Sequence, residues 1–184
     1  MPETYTGEIT TTTAYGGILA TINGAGERDL ARAVADAAGK YDESILMCDS
    51  VPDEAVEFLL ALFANERVLH SRGIEHFLIE INVDRCKYSE PQLLRILAIL
   101  LANAKRVNDR LGRHSVGDFI ARAYPPEVAF EALLSLSKGT KEEKEIALSG
   151  LDVMRMRQRK NCNGSINENV SKEWAALAGM GDAR

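Results

Sequence analysis

Two apolar decapeptides, VEFLLALFAN at 56–65 and LRILAILLAN at 94–103, are versions of one segment set 38 residues apart. Val56 matches Leu94, Phe58 matches Ile96, Leu59 matches Leu97 and Phe63 matches Leu101, and both copies end in Ala-Asn. The segment downstream repeats as well. Ile74, Phe77, Leu78 and Ile81 match Val116, Phe119, Ile120 and Ala123 at an offset of 42. A third copy follows Pro125-Pro126, where Phe130, Leu133 and Leu134 match Leu94, Leu97 and Ala98 at an offset of 36. Each unit reads as a long helix, a break and a second helix. Such a pair has one apolar face that it cannot bury alone, and the next pair covers it. The repeat therefore predicts an all-α fold of stacked helix pairs, with a compact helical bundle as the alternative. Stacking of this kind curves into a shaped exterior that suits binding of another macromolecule.

Apolar spacing at i, i+3, i+4 and i+7 places the helices. Leu30, Ala33, Val34 and Ala37 predict a helix over 27–38, with Gly39 as its stop and 40–52 as a connection. Ser50 is a candidate cap for a helix that starts at Pro52 and runs to about 70. A short helix carries Ile74 to Ile81. Ser89-Glu90-Pro91 opens the next, whose stripe is Leu93, Leu97, Leu100, Ala104, Val107 and Leu111, with Gly112 as its stop. Further helices are predicted from 116, over 127–136 and over 142–157, the last with Ala147, Gly150, Leu151 and Met154 inward. Thr140 and Glu143 have capping-box spacing. The division is a polar N-terminal tail or short strand at 1–13, a helical-repeat domain at 14–158, and a polar segment at 159–184 with a short helix at 172–178.

With 184 residues, 46% hydrophobic and 27% charged, the chain suits one domain and excludes collagen, a membrane bundle and an intrinsically disordered chain. Its most apolar stretch, 93–102, is interrupted by Arg95 and is too short to cross a bilayer. The N-terminus carries no signal-peptide pattern. Cys48, Cys86 and Cys162 are odd in number and widely spaced, which is no disulfide framework. The expected compartment is the cytoplasm, with reduced thiols.

Chemistry-bearing motifs are thin. His70, His76 and His114 match no zinc spacing, even with Cys86. Ser135 and Lys138 satisfy S-x-x-K but lack any companion motif. Gly24-Ala25-Gly26 imitates a phosphate loop, yet it lacks a third glycine and opens onto Glu27. Glu142 and Glu143 sit in a first helical turn, where a stabilising role suffices. No catalytic, metal or cofactor site is expected. The basic clusters Lys105, Arg106, Arg110, Arg113 and Arg155, Arg157, Arg159, Lys160 lie late in their helices, where cations complement the helix dipole. Nucleic-acid binding through them is not expected in a chain of net charge −5 with 6% aromatics.

The charge is uneven. Residues 1–60 hold eleven acids and three bases, a net −8, while the remainder is +3. An acidic end suits a basic protein partner, because complementary fields speed encounter and suppress wrong partners. Asp42, Glu43, Asp49, Asp53, Glu54 and Glu57 are the candidate contact residues.

The helix-pair period over 52–158 resembles the repeats of the HEAT and armadillo class. In size, helical repeats, acidic balance and missing chemistry, the chain is also similar to helical immunity proteins of contact-dependent growth inhibition toxin systems. That resemblance implies a cytoplasmic, non-catalytic bacterial protein that binds one cognate toxin and covers its active site. It implies no membrane and no nucleic acid, and a toxin domain that is basic would suit the acidic first third. It rests on no diagnostic motif, so no functional residue carries over. The rival classes are a helical-repeat scaffold or regulatory adaptor and a nucleic-acid-acting helical-repeat enzyme.

Overall fold

The computed structural model describes residues 14–69, 71–109, 115–158 and 164–179. The tail at 1–13, His70, the Leu111–Gly112 stop with Arg110, Arg113 and His114, and Arg159, Lys160 and Cys162 lie outside the described residues. Among the described residues, regular structure is helical throughout. The elements are α1 (Ala14–Gly24), α2 (Glu27–Ile45), α3 (Asp53–Ala64), α4 (Glu66–Leu69), α5 (Ile74–Val83), a 3-10 turn (Arg85–Lys87), α6 (Glu90–Ala102), α7 (Ala104–Asn108), α8 (Val116–Ala123), α9 (Pro126–Ser137), α10 (Lys141–Gln158) and α11 (Gly164–Gly179).

The fold is all-α, and its helices stack in pairs. The second helices form one row, with α2 against α5, α5 against α8 and α8 against α10. The first helices form another. Tyr15 of α1 stacks on Phe58 of α3 at 4.9 Å between ring centroids, and α3 packs on α6. α9 pairs with α10, and α11 lies on both. Most of the matched apolar positions are buried, but Leu94, the counterpart of buried Val56, is 43% exposed. Ile74, Phe77, Leu78 and Ile81 are buried, as are Val116, Phe119, Ile120 and Ala123. Phe58 and Leu59 are buried like their counterparts Ile96 and Leu97. Ala147, Leu151 and Met154 of α10 are also in the core.

Where α8 crosses α10, glycine permits the approach. A Cβ on Gly117 would sit 2.0 Å from the Ile146 carbonyl oxygen, and one on Gly150 would sit 2.7 Å from the Gly117 carbonyl oxygen. Ser89 and Gln92 form a reciprocal capping box at the start of α6, and Thr140 and Glu143 exchange the same pair of bonds before α10.

Several boundaries differ from the sequence expectation. Gly39 does not end α2, because Tyr41 and Ile45 beyond it are fully buried, and burying them outweighs the ~1 kcal/mol penalty of a mid-helix glycine. Ser50 is not the cap of α3; Pro52 occupies that position, with no side-chain bond. The helix from 53 stops at Ala64, and its copy from 90 stops at Ala102. The shared Ala-Asn is thus a break common to both units. Asn65 Oδ1 accepts the Arg67 N–H at 3.0 Å and so caps α4, while its Nδ2 donates to Asn23 Oδ1 in the preceding unit at 3.2 Å. Asn103 Nδ2 donates to the carbonyls of Ile99 at 3.0 Å and Phe63 at 3.5 Å. The run at 14–22 is helical, anchored by buried Tyr15 and Ile22. The C-terminal helix starts at Gly164, not 172, and docks through Val170, Leu177 and Trp174.

Candidate protein-binding surface

The acids lie on the last turns of α2, the connection that follows and the first turns of α3. Tyr41 and Ile45 take the core side of α2, which leaves Asp42 half-buried and Glu43 exposed. Lys87, brought up by the 3-10 turn, donates its Nζ to the Ile45 carbonyl at 3.2 Å and the Leu46 carbonyl at 3.1 Å. Those are end-of-helix acceptors that otherwise lack intrahelical partners. The Cys48 N–H adds a bond to the Ile45 carbonyl at 3.1 Å, and the Val51 N–H donates to the Lys87 carbonyl at 2.9 Å. The connection is therefore tied to the next unit through main-chain atoms. Asp49 is exposed on it.

Asp53 and Glu54 stand in the first turn of α3, where the helix dipole favours carboxylates. Asp53 Oδ1 accepts from Gln92 Nε2 at 2.8 Å, and the same amide donates to the Val51 carbonyl at 3.0 Å. Glu57 lies one turn on and meets Arg95 of α6 at 2.6 Å. Asp42, Glu43, Asp49, Asp53 and Glu54 thus surround one connection, whereas Glu57 belongs to the seam between units.

The negative potential here is concentrated. Residues 41–66 include seven acids and no lysine or arginine. Lys87 reaches the connection, and Asp84 accepts from it at 3.0 Å. Behind Asp42 stands Glu80 of α5. Partial burial, then the charges of Asp42 and Asp84, and then a hydrogen bond with Asp42 hold its carboxyl above the ordinary value, with His76 acting in the opposite sense.

Sequence reasoning overlooked the apolar pair at the apex of the connection. Leu46 is 58% exposed and Met47 is 91% exposed. Their signal was phase: Ile45 continues the Tyr41 stripe at i+4, and the next two residues fall off it. Lys87, Glu80 and Asp84 had no comparable signal, because they arrive from the neighbouring repeat.

The described residues of the two basic clusters have structural partners. Lys105 pairs with Glu142 at 3.6 Å and Arg106 with Glu66 at 3.2 Å, both across units. The Glu142 carboxyl is held below its ordinary range by its own backbone N–H, the Thr140 hydroxyl and Lys105. Arg155 lies 3.6 Å over the Trp174 ring, and Arg157 donates to the Ala121 carbonyl at 2.7 Å near the end of α8. At the glycine loop, Arg67 donates to the carbonyls of Asn23 at 2.6 Å and Ala25 at 2.5 Å. Among the described residues no group of three His, Cys, Asp or Glu could hold a metal ion, and no helix is long and apolar enough to cross a membrane.

No protein-family model, curated protein or solved structure matches this chain. Fold and surface together define the class: an all-α protein of stacked helix pairs, with an acidic connection between its first two pairs.

Proposed function

We propose that the chain is a non-catalytic protein-binding module of the bacterial cytoplasm, specifically an immunity protein that neutralises a cognate toxin by occluding its active site. One observation carries this reading. Five acids crowd a single connection that is held rigid by Lys87 and the Val51–Lys87 bond, so a strong negative field stands on a preformed frame. Such a frame binds without an ordering cost and attracts a basic surface at long range. The pairing of Lys105 and Arg106 with acids of neighbouring units favours this reading over nucleic-acid binding.

This reading expects a toxin gene directly beside the chain's own, and its absence rejects the reading; the test is co-expression with that gene's toxin domain. Wild-type protein restores growth and binds that domain in vitro. Reversing Glu43, Asp49 and Glu54 to lysine slows association roughly tenfold at low salt and flattens its salt dependence, with helicity unchanged. Equal stopped-flow rates at two ionic strengths for both proteins remove the acids from the interface. A toxin domain that neither binds nor is neutralised rejects the proposal.

A further inference from the structure

We infer that Leu46 and Met47 are the apolar anchor of this surface, and that they insert into an apolar pocket rimmed by basic side chains on the partner; this deepens the protein-binding reading and rests on it. At the two positions the chain exposes large apolar side chains side by side, 58% and 91% accessible. They are presented, not left dangling. The carbonyls of Ile45 and Leu46 are both clamped by the Lys87 ammonium, the Leu46 N–H donates to the Asp42 carbonyl at 2.9 Å, and the Cys48 N–H closes the turn on Ile45. A turn whose backbone is already held in one conformation loses little main-chain entropy when a pocket closes over its side chains. Methionine suits that role, since its flexible, polarizable side chain adapts to irregular pockets.

The surroundings select the occupant. Glu43 and Asp49 flank the pair in sequence, and Asp53 and Glu54 open α3 a few residues on, so the apolar pair sits in an acidic stretch of chain. Binding energy in protein interfaces concentrates in a few buried anchors, and the charges around them set partner and rate. A cationic protein surface with an apolar cleft complements both parts. A second copy of this chain does not, because it would bring the same acids face to face.

The decisive measurement uses the full chain and the toxin domain encoded beside its gene. Leu46→Ser with Met47→Ser is expected to raise the dissociation rate at least ~30-fold, leaving association rate and salt slope near wild type. Met47→Leu is expected to retain tight binding. Circular dichroism verifies the fold, which these exposed side chains do not support. If the wild type binds and the double variant dissociates at the same rate, the anchor is overturned and the binding reading survives. If the wild type does not bind, that reading falls and the anchor with it. A wild-type mass twice 20.2 kDa by light scattering that halves in the double variant makes a second copy the occupant and overturns the inference.

Discussion

Glu57 and Arg95 hold the same place in consecutive repeats, and their side chains meet at 2.6 Å across the seam between α3 and α6. A 38-residue offset thus becomes a contact between equivalent positions. The pair is partly solvated, with side chains 32% and 42% exposed, so it aligns the units more than it stabilises them. A double-mutant cycle with Glu57→Gln and Arg95→Gln should return a coupling of about 0.5 kcal/mol. A coupling above ~2 kcal/mol would place the ion pair among the main determinants of stacking.

The α8–α10 crossing is far less forgiving. An added methyl at Gly117 meets the Ile146 carbonyl, and one at Gly150 meets Leu133 and the Gly117 carbonyl. Either Gly→Ala change should destabilise by about 3 kcal/mol, against a slight gain for Gly39→Ala, where the added methyl meets nothing. Urea unfolding of the three variants checks this order, and equal midpoints would contradict it.

Tyr41 and Tyr88 share a buried hydrogen bond of 2.6 Å between their hydroxyls. Burial, first of all, pushes both phenols well above their ordinary value, so the pair stays neutral under physiological conditions. Tyr88→Phe leaves the Tyr41 hydroxyl in the core without that partner and should cost about 2 kcal/mol. Replacing both by Phe should recover most of that loss. A double variant as unstable as the two single changes summed would show the hydroxyls act independently.

Asn65 caps α4 and reaches back to Asn23. Asn65→Ala should cost about 1 kcal/mol, and Asn65→Asp should keep the cap while losing the amide donor. The partial rescue by Asp is the informative result. If Asp and Ala behave alike in thermal melts, the cap contributes nothing.

Glu80 makes stability fall as pH rises. Its carboxyl, raised by burial and by Asp42 and Asp84, binds a proton more tightly in the folded chain than in the unfolded one. The stabilisation is complete below the ordinary value of 4.5 and is lost as pH climbs through the raised folded value. Glu80→Gln should flatten the stability profile above pH 4.5 and leave the protein more stable than wild type at neutral pH. Denaturant titrations across that window decide it, and an unchanged slope would assign it to other groups.

Sequence alone determined most of the helices and much of the faces they bury. Ile74, Phe77, Leu78 and Ile81 lie one behind another on any α-helix, so their spacing disclosed both helix and core stripe. The recurrence of that stripe disclosed the stacking. Tertiary structure decided what spacing cannot encode: that α2 continues through Gly39 because Tyr41 and Ile45 have a core to enter, and that the Ala-Asn signature breaks each first helix where an amide can reach the preceding unit. It also decided the candidate surface. The acids were visible as composition and the exposure of Met47 as helix phase, but the Lys87 clamp and the Asp42–Glu80 pair arise where residues about 40 apart in the chain meet. Helix faces follow from local geometry, whereas a surface depends on which neighbours the packed units bring to it.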